Sequence, residues 1–136
     1  MVVVFTNGCF DILHRGHLEV LKFAKSLGDK LIVGINSDKT IKMLKGEDRP
    51  INSQEDRKAI LESLRFVDEV VIFDDVETRG IIQQLRPSIL AKAVDNLTPE
   101  QLREKDNVPQ EVEIKICPKL TEFSTTEMIR KTQGKK

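Results

Sequence analysis

His14 and His17 stand three residues apart in the run Thr6-Asn7-Gly8-Cys9-Phe10-Asp11-Ile12-Leu13-His14-Arg15-Gly16-His17. At the start of a helix this spacing turns both imidazoles to one side. Gly16 between them clears room for a bulky anion. Two ring N–H groups beside the unpaired backbone N–H groups of a helix start can donate to phosphate oxygens as charge builds in a phosphoryl transition state. Gly8 allows a tight turn and a close approach of a ligand to the backbone. The backbone N–H groups of Cys9 and Phe10 are further candidate donors, and Thr6, Asn7 and Phe10 shape the loop. This describes a phosphate cradle without the P-loop lysine. The bland readings of two loop histidines are surface solvation and metal ligation, and no third ligand of suitable type stands near them. Cys9 has no partner base in view and reads as a packing residue, not a nucleophile.

The elements that must position these groups follow from the pattern. Val2-Val3-Val4-Phe5 is a β-branched run without alternation, bounded by Asn7-Gly8, which predicts a fully buried strand of a parallel sheet. Leu18, Leu21, Ala24 and Leu27 recur at helical spacing, and Gly28 stands where a C′ glycine would end the helix. Further strands are predicted at Lys30 to Asn36, Val67 to Phe73 and Ile89 to Ala91, with an edge strand at Glu111 to Ile116. Between them come a short helix capped by Ser37 or Asp38 and ending near Leu44, and a helix over about Ser53 to Leu64 capped by Asn52 with Glu55. A further helix over about Glu77 to Leu85 stops before Arg86-Pro87. Thr98-Pro99-Glu100-Gln101 and Ser124-Thr125-Thr126-Glu127 each have the spacing of a capping box, and the second opens a terminal helix to about Lys131. Strands alternating with helices predict an α/β fold: a Rossmann-like single domain with a five-stranded parallel sheet flanked by helices. The domain is expected over residues 1–132, with residues 133–136 a frayed tail. In such a sheet the ligand lies outside the carboxyl ends of the strands, where the histidine-bearing loop falls.

Composition limits the partners. The 136 residues carry 22 Lys and Arg against 22 Asp and Glu, so the concentrated positive charge of a nucleic-acid coat or a polybasic membrane binder is missing. Two distant cysteines, Cys9 and Cys117, give neither a disulfide framework nor a zinc knuckle and fit a reducing compartment. The apolar N-terminal run ends after five residues, too short for a signal or a membrane span, so a cytoplasmic protein is expected.

The sequence resembles the HxGH nucleotidyltransferases of the cytidylyltransferase type over nearly its whole length. The resemblance is carried by TNGCFDILHRGH at 6–17, INSD at 35–38, LKGEDRPIN at 44–52, EDR at 55–57, VDEVV at 67–71 and STTEMI at 124–129. Within that family the NSD, LKGEDRPIN and EDR stretches look most like adenylyltransferases that activate a heptose 1-phosphate, with glycerol-3-phosphate cytidylyltransferases as near relatives. The resemblance implies transfer of a nucleotidyl group from a nucleoside triphosphate to a sugar or polyol phosphate, release of pyrophosphate, and Mg²⁺ accompanying the triphosphate. It implies catalytic roles for His14, His17 and Lys45, contact of Lys45 and Arg57 with the substrate phosphate, and a nucleotide site at residues 6–11 and Gly16. Lys92, Asp95, Lys119, Ser124, Thr125 and Thr126 complete that site. Asp11 either caps the first helix or helps hold Mg²⁺. A phosphate nucleophile is already anionic, which accounts for the lack of a Ser-His-Asp or paired-carboxylate arrangement.

Two departures fall where a base or ribose would sit. Lys92-Ala93-Val94-Asp95-Asn96 replaces a loop that usually carries glycine and an aromatic residue, and Glu122 stands where glycine is usual. A nucleotide-binding protein weakened in turnover is therefore the competing class. A bare dinucleotide binder is disfavoured, since there is no G-x-G-x-x-G and Asp38 follows its strand too closely to hold a ribose. An isologous homodimer is the default assembly for a small enzyme of this kind.

Overall fold

In the computed structural model, residues 1–74, 79–93 and 97–118 are described. Five strands, β1 (Val3–Gly8), β2 (Lys30–Asn36), β3 (Glu69–Phe73), β4 (Ile89–Lys92) and β5 (Glu113–Ile116), form one sheet in the order β3-β2-β1-β4-β5. Every pairing is parallel. The helices are α1 (Arg15–Ser26), α2 (Asp38–Lys45), α3 (Gln54–Glu62), α4 (Arg79–Leu85) and α5 (Pro99–Asp106).

Side-chain alternation along the strands divides the core into two layers. Val4, Leu31, Val33, Ile35 and Ala91 pack with Leu21 and Ala24 of α1 and Leu61 of α3 on one face. Phe5, Ile32, Leu90 and Ile114 pack with Ile81 and Ile82 of α4 and Leu102 of α5 on the other. Both faces of the central strands are thus covered, which is why they read as unbroken apolar runs. The chain moves outward from β1 through β2 to β3, then returns past β1 to β4. The junction of β1 and β4 is the point where the winding reverses, and there the carboxyl ends open a crevice.

Several local expectations are corrected. β1 does not stop before Asn7-Gly8; Thr6, Asn7 and Gly8 stay in the ladder opposite Val33, Gly34 and Ile35. Gly8 is therefore a strand residue, not a turn, and the left-handed backbone falls on Phe10 at φ 48°. A Cβ on Gly8 would lie 3.1 Å from the Phe10 ring, so glycine serves here to admit that ring. Gly28 likewise serves close packing: a Cβ would meet Val2 O and the Val2 and Val4 methyls at 2.8 Å. Ser53, not Asn52, caps α3, its hydroxyl accepting from Asp56 N–H. Ser37 caps α2, and Thr98 with Gln101 forms the capping box of α5. β3 and β5 begin two residues later than predicted. The predicted helix from Ser124 and the tail at 133–136 lie outside the described residues.

Candidate active site

α1 starts with its own catalytic candidates as caps. His14 is the N-cap, its Nδ1 accepting from Gly16 N–H at 3.1 Å, and His17 Nδ1 accepts from His14 N–H at 3.3 Å. This reciprocal arrangement is a capping box in which imidazoles replace the usual hydroxyl and carboxamide. The rings stack with centroids 3.9 Å apart and an interplanar angle of 21°, and Phe10 backs His17 at 5.1 Å. Because each Nδ1 is an acceptor, each neutral ring carries its proton on Nε2. Burial lowers the pKa of both, and for His17 burial together with the His14 ring brings it to about 4. Near neutral pH the pair is two uncharged Nε2–H donors.

The crevice between β1 and β4 holds a cavity of about 190 Å³ lined by Thr6 to Phe10, His17, Val20, Lys92 and Ala93. Thr6 is buried, while Asn7 and Cys9 are half-buried. Lys92 Nζ donates to Asn7 Oδ1 at 2.9 Å, and burial pushes the lysine's pKa down. Cys9 Sγ lies 3.7 Å from Asn36 Oδ1, and burial raises its thiol pKa despite the opposing charges of Lys45, Arg57 and Arg49. Cys9 stays a thiol, as its reading as a packing residue requires.

Asp11 neither caps α1 nor stands open to an ion. Its side chain is buried and accepts from Arg49 Nε at 3.1 Å, Ile51 N–H at 2.8 Å and Asn52 N–H at 2.8 Å, while Asn52 Nδ2 donates to Asp11 O. It clamps the 49–52 loop to the end of β1. Arg57 also departs from expectation. Its fully buried guanidinium donates to Cys9 O at 2.9 Å, Asn36 O at 2.8 Å, Asn52 O at 3.1 Å and Asp38 Oδ1 at 2.8 Å. With its fork turned inward, Arg57 ties together the ends of β1 and β2, the 49–52 loop and α2, a structural role beside the phosphate contact expected of it. Lys45, by contrast, is exposed at the end of α2, and its charge is felt at Cys9. Asp95, Lys119, Ser124, Thr125 and Thr126 lie outside the described residues.

Residues 5–131 match the cytidylyltransferase-like family. The chain belongs to that family. Among similar proteins, the bifunctional protein HldE of Campylobacter fetus is 46% identical over 132 residues, 97% of this chain and 28% of that protein. Its namesake from Wolinella succinogenes is 47% identical over 97% of this chain and 27% of that protein. The chain thus spans just over a quarter of the length of these curated relatives. A crystal structure of a lipopolysaccharide core biosynthesis protein from Thermoplasma volcanium has a TM-score of 0.76 at 29% identity, covering 89% of this chain and 99% of that one.

Within this cytidylyltransferase-like domain, sequence reasoning finds the histidines and most of the residues lining the crevice, but not the clamp. Arg49, Asn52, Asn36 and Asp38 fall in the INSD and LKGEDRPIN stretches, but nothing in the sequence pairs them with Asp11 or Arg57. Among the described residues no three His, Cys, Asp or Glu side chains converge to hold a metal, and the Asp11 carboxylate is taken up by the clamp. The described residues therefore hold no ready-made cage of three such side chains for a divalent ion. No described helix is long and apolar enough to cross a membrane.

Proposed function

We propose that this domain transfers a nucleotidyl group, AMP from ATP by preference, to the phosphate of a sugar 1-phosphate such as heptose 1-phosphate. A phosphate oxygen of the acceptor attacks the α-phosphorus, one P–O bond forms, the bond to the bridging α–β oxygen breaks, and pyrophosphate leaves. The stacked His14–His17 pair carries the reading: two neutral Nε2–H donors at a helix start beside the crevice where the winding reverses. Such donors gain strength as charge accumulates on the transferring phosphoryl oxygens, and neutral rings do so without holding the ground-state anion too tightly. Lys45 supplies a mobile cation for a phosphate, and Arg57 and Asp11 fix the backbone from which Lys45 and the loop approach. Mg²⁺ enters this reading as the companion of the triphosphate, carried on its phosphates and not in a protein cage. The sugar-phosphate acceptor is supported by the resemblance of residues 35–57 and by the likeness to the lipopolysaccharide core biosynthesis protein of Thermoplasma. A homodimer belongs to the same reading and is checked by light scattering.

The test is pyrophosphate release from four nucleoside triphosphates against a panel of sugar and polyol phosphates. ATP with a sugar 1-phosphate is the expected productive pair. Turnover confined to CTP with glycerol 3-phosphate would reassign the domain as a polyol-phosphate cytidylyltransferase. Nucleotide binding without any turnover would leave a binding protein.

A further inference from the structure

Asn7 and Lys92 occupy the two strand ends that border the crevice. Continuing the β1–β4 register from Val4↔Ile89 and Phe5↔Leu90 brings Asn7 opposite Lys92, and alternation puts both on the face of Phe5 and Leu90. Lys92 Nζ then donates to Asn7 Oδ1 at 2.9 Å. An ammonium has donors only, so the amide atom it meets must be the oxygen, and the orientation of the Asn7 carboxamide is decided by chemistry. Nδ2 consequently stands on the side away from Lys92. Among the described residues Nδ2 has no hydrogen-bond partner, although Asn7 is half-buried and lines the cavity. Keeping a lysine charge in this partly buried place is costly, as its lowered pKa reflects. No described carboxylate forms a salt bridge with it to offset that cost, although the charge of Asp106 helps from farther away.

We propose that Lys92 is a positioning residue that locks the Asn7 carboxamide so that Asn7 Nδ2 donates to an acceptor oxygen of the bound nucleotide. The inference rests on the nucleotidyltransferase reading above and adds to it which atom contacts the ligand and which residue aims it. A freely rotating asparagine would offer oxygen and nitrogen in turn, and the oxygen would repel the same ligand atom. The lysine removes the wrong orientation before the ligand arrives.

ATP titration by calorimetry on wild type, Lys92→Met, Asn7→Ala and the double variant tests the proposal, with thermal melts on each. Loss of one neutral hydrogen bond predicts a Kd raised about 5- to 10-fold for each single variant. The double variant is expected to lose no more than Asn7→Ala alone, because Lys92 acts through Asn7. Multiplicative losses would mean that Lys92 meets the nucleotide itself and would overturn the proposal. Asn7→Asp gives a second arm. It keeps, and charges, the link to Lys92 while exchanging the donor for an acceptor, so the melting temperature should hold or rise while ATP affinity falls more than in Asn7→Ala. Wild-type affinity in Asn7→Asp would overturn the assignment. Lys92→Arg, which retains a donor, should recover most of the loss. If wild type binds none of the four nucleoside triphosphates, the functional reading falls and takes this inference with it. If wild type binds and the cycle is multiplicative, only this inference falls.

Discussion

The imidazoles of His14 and His17 stack 3.9 Å apart while each supplies a hydrogen-bond acceptor to the backbone of the same helix start. One pair of side chains therefore builds the end of α1 through its Nδ1 atoms and leaves the ring protons on Nε2. The two duties can be separated by substitution. His14→Ala removes both, and is expected to cost about 1 kcal/mol of stability through the lost cap and about 10²-fold or more in turnover. His14→Asn keeps an N-cap acceptor, so its melting temperature should stay near wild type while turnover falls as in His14→Ala. Thermal melts and steady-state pyrophosphate release check this, and near-wild-type turnover in His14→Asn would refute the donor role.

Acid should loosen the same helix start. His17 has a folded-state pKa of about 4 against an ordinary 6.5, so the unfolded chain takes up its proton first as pH falls. The neutral ring's contribution to stability is whole above pH 6.5 and is lost progressively between 6.5 and 4. Protonation also converts Nδ1 from an acceptor into a donor facing His14 N–H, which breaks the reciprocal cap. The expected result is a melting temperature that drops across this window, with a shallower slope in His17→Gln. Superimposable slopes for wild type and variant would show that His17 titrates normally.

The sheet is legible in the sequence because strands covered on both faces need unbroken apolar runs, and Val3–Phe5 and Leu31–Ile35 have them. The histidine pair is legible from spacing alone. Its use as a cap is not, since histidine is not among the residues favoured at N-caps. Arg57 shows where sequence reasoning stops. Nothing in Glu55-Asp56-Arg57 separates a surface guanidinium from a buried one, and two of the carbonyls that hold it belong to Cys9 and Asn36, 48 and 21 residues away. The end of β1 is hidden from the sequence for a related reason: Asn7-Gly8 signals a turn locally, while pairing with Gly34 and Ile35 keeps it extended.

Arg57 should behave as a stability residue before it behaves as a binding residue. Arg57→Met would strand three backbone carbonyls and the Asp38 carboxylate, a loss of about 3 kcal/mol or more. In a domain of this size that lowers the melting temperature by roughly 10 °C. Arg57→Lys should rescue little of it, because a single ammonium cannot span four acceptors set out for a planar fork. Chemical denaturation of the three proteins measures this. A stable Arg57→Met with weakened acceptor binding would restore Arg57 to the substrate phosphate.

Lys45 should show the opposite balance. It is the last residue of α2, exposed, with Gly46 following at φ 103° and open space where a Cβ of that glycine would stand. No described hydrogen bond or salt bridge uses the Lys45 ammonium, yet its charge reaches Cys9 on the cavity wall. A cation on a flexible stem beside a phosphate crevice adds attraction that salt weakens, because the Debye length shrinks to about 8 Å at physiological ionic strength. Lys45→Ala is therefore expected to leave the melting temperature unchanged, to weaken binding of a phosphate-bearing ligand about tenfold, near the 1.4 kcal/mol of a modest ion contact, and to flatten the dependence of affinity on salt. Calorimetric titrations of ATP and of a sugar 1-phosphate at low and high salt would show which ligand Lys45 serves. Equal affinities and equal salt slopes for both ligands in wild type and Lys45→Ala would remove Lys45 from the site.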